Sequence, residues 1–183
     1  MVWANWVHQE GLPRTALRDV ITGGTALNDP SQGMMVQTWE LTYSDPDVIV
    51  TPALTGIPIT LFSLTGITEA SIAFDQNMHP FVAYVVGGNA WYWWFDTISS
   101  QQEFVQMASD VINPRCTLDD NRPMQVSASD IILVYVRGAN LHYRGQRERY
   151  TIERLLYTGV PGSLDTIGMN VALRMQFMFR KPL

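Results

Sequence analysis

Apolar and polar residues alternate with a period of two along Val171-Ala-Leu173-Arg-Met175-Gln-Phe177-Met-Phe179. Every odd position is large and apolar, while Arg174, Gln176 and the following Arg180 fall on even ones. That alternation predicts a strand with one buried face. The same pattern predicts strands over 36–43, 59–62, 70–74, 81–86, 90–95, 131–136, 141–144 and 150–156. Residues 101–108 fit either a helical turn or another strand. The breaks carry turn formers: Asp45-Pro46, Gln76-Asn77, Gly87-Gly88-Asn89, Gly138-Ala139-Asn140 and Pro161-Gly162. The pattern predicts an all-β domain over 35–183.

Residues 1–34 read differently. After Trp3, Trp6 and Val7 they are sparse in apolar residues and are punctuated by glycine and proline. They predict an extended N-terminal arm with one short helix over 14–21, where Ala16, Leu17, Val20 and Ile21 share a face. Tryptophans at a chain start call for cover, so Trp3 and Trp6 are candidate interface residues, docking on the chain's own body or on a neighbour.

The strands repeat. Phe81-Val-Ala-Tyr84-Val85-Val-Gly87-Gly-Asn89-Ala-Trp-Tyr92 aligns without gaps to Ile132-Leu-Val-Tyr135-Val136-Arg-Gly138-Ala-Asn140-Leu-His-Tyr143, and Ile72-Ala-Phe74-Asp75 aligns to Cys116-Thr-Leu118-Asp119. Each unit, 69–97 and 115–147, reads as strand, Asp-bearing turn, strand, Gly-x-Asn hairpin, strand. Glycine and asparagine suit the hairpin because its tight turn requires positive φ. Units of this size are propeller-blade-like. The favoured arrangement is an antiparallel β-sandwich or small twisted sheets built from the two units. The alternative is a six-bladed ring to which three chains contribute two units each.

Charge sharpens this picture. The 183 residues carry a net −5, with 46% hydrophobic, 11% aromatic and only 16% charged residues, against roughly 25% charged in an average domain. Such a chain has ample apolar area for a core, which excludes disorder along its length. The net value is a sum of unlike halves. Before Asn113 there are eleven acidic and two basic residues, a net of −9; from there on, six acidic and ten basic residues give +4. Eleven of the twelve bases are arginine, whose planar fork suits paired carboxylates. The halves either meet inside the fold or pair head to tail between copies. A pI near 5.0 speaks against nucleic acid as a partner. No apolar run suits a signal peptide or a membrane span, so neither secretion by a leader nor membrane insertion is expected.

The residues from Arg115 to Glu153 carry a resemblance. They contain Leu118-Asp119-Asp120-Asn121-Arg122, then Ser129-Asp130-Ile-Ile-Leu-Val-Tyr135-Val-Arg137, then Gln146-Arg147-Glu148-Arg149-Tyr150. This resembles a family of virion proteins of tailed bacteriophages, mostly short-tailed, whose members carry an LDD-K/R segment, an SD-hydrophobic-Y-x-R strand and a QRDRF/Y block. Glu148 stands where aspartate is more usual. The likeness extends over about residues 66–180 and includes Gly168-Met169-Asn170 before the last strand. It implies a place in the particle, in the tail, with other copies and other virion tail proteins as partners. It brings no catalytic residue with it.

Candidate chemistry is thin. As a strand, 146–150 would point Arg147 and Arg149 one way and Gln146, Glu148 and Tyr150 the other. With Arg144, the residues Arg147, Glu148, Arg149 and Tyr150 form a candidate subunit interface, the arginines gripping a neighbour's carboxylates. The bland alternative is a cross-strand salt-bridged surface. Trp91-Tyr-Trp93-Trp94-Phe95 predicts a strand buried on both faces, as core and interface. The sharper alternative is a stacking platform for a host surface glycan at Trp91, Trp93 and Trp94. Asp75 and Asp119 sit at equivalent turns and are expected to bind turn amides. Single, scattered His8, His79 and His142 predict no metal site. Cys116, equivalent to Ile72, is expected to be a buried small hydrophobe. No cofactor and no catalytic residue are expected. The expected function is a structural subunit of a phage tail, with a glycan-binding module next and a glycan-degrading enzyme last.

Overall fold

The structure, a computed structural model, describes residues 18–22, 38–53, 55–75, 79–119, 130–169 and 175–180. The chain is nearly all β. Four strands form the first sheet: β1 (Arg18–Thr22), β2 (Thr38–Ser44), β3 (Asp47–Pro52) and β4 (Ile59–Ser63). The second contains β5 (Ile67–Phe74), β6 (Pro80–Val86), β7 (Asn89–Asp96) and β8 (Gln101–Gln106). The third contains β9 (Val111–Leu118), β10 (Ile131–Arg137), β11 (Asn140–Gly145) and β12 (Arg154–Thr158). The fourth has β13 (Ser163–Met169) and β14 (Met175–Arg180). Each sheet is an antiparallel meander, strands paired in chain order.

The sheets pack by a common rule. β5 lies against β1 and β2, β9 lies against β5, β6 and β7, and β13 lies against β9 and β10. The first strand of each later sheet therefore packs on the first strands of the sheet before it, β9 reaching as far as β7, and the four first strands form an inner row. Small antiparallel sheets are what the alternation predicts, but there are four rather than two.

The repeat extends to burial in its first strand. Position by position, β5 and β9 show the same order of buried, exposed and half-buried residues. Ile72 and Cys116 are both fully buried, as expected of equivalent positions. Both following hairpins turn on two residues with positive φ, Gly87-Gly88 in one and Gly138-Ala139 in the other. A first core cluster joins sheets one to three through Leu41, Val48, Ile72, Phe81, Tyr84 and Leu133. A second joins sheets three and four through Val134, Val136, Leu141, Leu164 and Ile167. Each such side chain contributes about 1.5–3 kcal/mol by leaving water.

Three expectations need correction. Of the helix expected over 14–21, residues 18–21 are instead strand: 18–22 are extended and pair with β2, as suits the β-branched run Val20-Ile21-Thr22. The remainder of that helix lies outside the described residues, as do Trp3 and Trp6. Residues 146–150 are not a strand but a single 3-10 turn over 146–148 followed by two left-handed residues. Consequently the strand expected at 150–156 begins only at Arg154. The undecided segment 101–108 is strand β8, and β3 and β13 are strands beyond those expected.

Candidate functional site

The segment Gly145–Tyr150 follows β11 and meets the second sheet. It is the part of the chain where the resemblance is most specific, and its side chains determine what the site is. Arg149 and Tyr150 have φ of 52° and 57°. Left-handed backbone is unfavourable for residues with a Cβ, so the fold must hold it in place. The consecutive pair turns the chain sharply and sends two neighbouring side chains into the second sheet.

Arg149 reaches the end of β7. Its two terminal nitrogens donate to Asp96 Oδ1 at 2.9 Å and Oδ2 at 2.8 Å, and one also lies 3.4 Å from Glu103 Oε1. The guanidinium stands 5.4 Å from the centre of the Trp94 ring. Asp96 is buried, and the Arg149 fork holds its carboxyl well below the usual carboxylate range, helped by Ser99 and the Ile98 amide. Tyr150 is buried completely. Its ring packs on Phe81 at 4.6 Å, on Tyr92 at 5.3 Å and edge-on to Trp94 at 5.3 Å. Its hydroxyl has no hydrogen-bond partner, and burial pushes its pKa well up.

Carboxylates clamp the start of the segment. Asp130 Oδ1 accepts from the Arg147 amide at 2.6 Å, and Gln146 bridges the Ile131 amide to Asp75 Oδ2. A Cβ at Gly145 would come within 2.9 Å of Asp130 Oδ2, so a larger residue there would push the carboxylate aside. Burial raises the Asp130 pKa to about 6, with Asp119 adding to it and the Arg147 amide opposing. Glu148 forms a two-pronged pair with Arg154. Arg144 donates to the Tyr135 hydroxyl at 3.0 Å and to the Tyr150 carbonyl.

The expected intersubunit grip is thus corrected for Arg149, Glu148 and Arg144, whose charges and donors are met within the chain, and for Tyr150, which is core. The physical reason at Arg149 and Tyr150 is the turn: a strand would have aimed them outward, whereas the left-handed pair aims Arg149 at Asp96 and Glu103 in the acidic half and Tyr150 into the core. Arg115 does the same deeper in. It sits between Glu69 of β5 (2.8 Å) and the Asp165 carbonyl of β13 (2.8 Å), joining three sheets. The two halves of opposite charge therefore meet inside the fold.

The aromatic strand β7 is buried on both faces, as expected. Trp93 faces the first sheet, its ring 5.1 Å from Phe62, and Trp94 faces the third, against Tyr150. Their indole nitrogens donate to Gln102 and Glu103. Trp91 is half-buried on the Trp93 side. Buried rings on opposite faces form no shared stacking surface, so Trp91, Trp93 and Trp94 are not a platform in this structure.

Asp75 and Asp119 make the same hydrogen bonds at matching strand ends of the two repeats. Asp75 Oδ1 accepts from the His79 amide at 2.8 Å, and Asp119 Oδ1 accepts from the Asp130 amide at 2.7 Å. Each Asp amide donates back to the carbonyl of that same residue. The turn-amide role expected of them is the one observed. Sequence reasoning missed Asp130, Glu153 and Arg154. Glu153 gathers the Tyr135 hydroxyl, Arg137 at 3.1 Å, His142 at 3.4 Å and Arg144 at 3.6 Å on one face of the third sheet. Alternation within β10 and β11 places Tyr135, Arg137, His142 and Arg144 on one face, and that signal was available; the position of Glu153 in the connection before β12 was not. Among the described residues, no group of three or more His, Cys, Asp or Glu side chains is arranged to hold a metal ion.

Comparison with known proteins gives no match: no protein family, no curated protein and no solved structure is similar to this chain.

Proposed function

We propose that this chain is a structural subunit of a bacteriophage virion, placed in the tail, and that it acts by contact with other copies and other tail proteins rather than by catalysis. The support from sequence is the LDD-R, SD-hydrophobic-Y-x-R and QRERY series. The observation that carries the reading is the apolar surface immediately after that series. Ile152, Leu155, Leu156 and Tyr157 are all exposed, on or beside the outer strand of the third sheet. Large apolar side chains grouped on one edge mark a surface that another protein covers. The Gln146–Tyr150 segment supports the reading from beneath, because it fixes the sheet that presents this edge.

The test is the composition of purified particles. Particles of the encoding phage, separated into heads and tails and analysed by quantitative mass spectrometry, should contain this chain in several copies per tail. Finding it in infected cells but not in particles overturns the proposal.

A further inference from the structure

We infer that Asp130 is an acid-operated catch on the Gly145–Tyr150 turn. With a proton on its carboxyl the turn is held closed against the second sheet; without one the turn opens more often. This goes beyond the assembly reading and does not rest on it.

One residue is exchanged between strand ends that otherwise match. In the first repeat the Asp75 amide donates to the His79 carbonyl, and Asp75 Oδ1 accepts from the His79 amide. In the second, Asp119 and Asp130 exchange the same two bonds. Asp130 therefore stands where the first repeat has a histidine. The His79 ring places Nδ1 3.0 Å from Asp75 Oδ2, a possible cation on a carboxylate. The second repeat places a carboxylate near a carboxylate instead, and two such groups resist ionising together.

The Asp130 carboxyl also lies directly beneath the turn. Its Oδ1 accepts from the Arg147 amide at 2.6 Å, and a Cβ at Gly145 would stand 2.9 Å from its Oδ2. Among the described residues, Asp119 faces it from the end of β9, and Arg147, Glu148 and the Tyr150 phenol face it from the turn. From the second sheet, Asp75 reaches the same turn by accepting from Gln146, with His79 behind it. Glu148 is held by Arg154. Burial adds to the repulsion from Asp119, so a proton is retained here in mildly acidic solution.

The turn is the part that can yield. Arg149 and Tyr150 keep left-handed backbone that is unfavourable for both. Lifting the turn lets water reach a charged Asp130, whereas a protonated one gains little from it. The Arg147 amide can donate to the carbonyl oxygen of the neutral carboxyl, so the closed turn loses no hydrogen bond on protonation. The catch controls the seam between the second and third sheets, because Arg149 on Asp96 and Tyr150 among Phe81, Tyr92 and Trp94 move with the turn.

Hydrogen exchange on the full chain tests this. The Arg149, Tyr150 and Thr151 amides report on the turn, since they donate to the Gln146, Gly145 and Glu148 carbonyls. Corrected for the intrinsic rate at each pH, their protection should rise about tenfold from pH 7.5 to pH 5, as follows from a folded pKa of about 6 against an ordinary 3.8. Asp130→Asn keeps an oxygen for the Arg147 amide and carries no charge. It should show at pH 7.5 the protection that wild type reaches at pH 5, with no further rise. Carbon-13 NMR of wild type, with the Asp130 carboxyl assigned through the backbone, needs no variant and should give a midpoint near pH 6. Wild-type protection equal at the two pH values overturns the catch. A rise that persists in Asp130→Asn overturns Asp130 as the group responsible. A carboxyl midpoint at or below the ordinary aspartate value overturns the retained proton on which the catch depends.

Discussion

Tyr150 shows how a buried side chain can hold a strained turn. Its ring fills a slot between Phe81, Tyr92 and Trp94, yet its hydroxyl finds no partner there. The two parts of the side chain therefore oppose each other. Tyr150→Ala should lower stability by about 3–5 kcal/mol, through lost contact and the cavity left behind. Tyr150→Phe should match wild type or exceed it by about 1 kcal/mol, since it removes an unsatisfied buried group. Urea unfolding of both variants checks the pair; a Phe variant as unstable as the Ala variant would mean the hydroxyl is what holds the turn. Nearby carboxylates pull the pH dependence in opposite directions. Asp130 has a folded pKa of about 6 against an ordinary 3.8, so the folded state binds this proton more tightly than the unfolded chain does. Its contribution to stability grows as pH falls from 7 through 6 and levels off below about 4. Asp96 is depressed by Arg149, so its contribution is present above the ordinary carboxylate range and is lost as pH falls through its lower folded value. Asp130→Asn should therefore be more stable than wild type at pH 7, with the difference shrinking toward pH 4. Parallel urea-midpoint curves for the two proteins would show that Asp130 does not titrate as its burial requires.

At the scale of elements, the two repeats serve as controls for each other. The first hairpin turns on Gly87-Gly88, and the second on Gly138-Ala139, with Ala139 at φ 62°. Only the second carries a Cβ at this position, so Ala139→Gly should stabilise the protein by about 1 kcal/mol. Gly88→Ala, at φ 76°, should cost about as much. Thermal melts of the two variants decide it, and equal shifts of the same sign would contradict the equivalence of the repeats. This equivalence was legible in the sequence because hairpin strands leave a period of two and their turns demand glycine or asparagine. The same reasoning located β6, β7, β10 and β11 and the turn role of Asp75 and Asp119. It failed at β1, whose apolar spacing also fits a helix face and whose strand identity comes from pairing with β2, a contact between distant residues. It failed again at 146–150. Two left-handed residues in succession leave no periodic trace, and nothing local in Arg149 announces that its partner is Asp96, fifty-three residues away. The candidate site was thus found by its unusual residues but misread in direction, outward instead of inward.

For the whole molecule, the question is whether four small sheets unfold as one. Small sheets have little core of their own, so cooperation must come from the inner row β1, β5, β9 and β13. Arg115 is the polar link along that row: it is buried on β9, pairs with Glu69 of β5 and donates to the Asp165 carbonyl of β13. Removing one partner of such a pair leaves the others unsatisfied, so Arg115→Met should cost about 3 kcal/mol. It should also loosen the coupling between sheets, and the tryptophans make that measurable. All six precede residue 95, and the four within the described residues lie in the first two sheets. Fluorescence therefore reports on sheets one and two and, through Trp94 against Tyr150, on their contact with the third, while far-ultraviolet circular dichroism reports on all four. In wild type the two urea transitions should coincide, the mark of a single cooperative unit. In Arg115→Met the dichroism transition should begin at lower urea than the fluorescence transition, as the fourth sheet, held through the Asp165 carbonyl and remote from the described tryptophans, releases first. Coincident transitions in both proteins would mean that apolar packing alone, through Ile72, Cys116 and Leu118 at the β5–β9 crossing, couples the sheets.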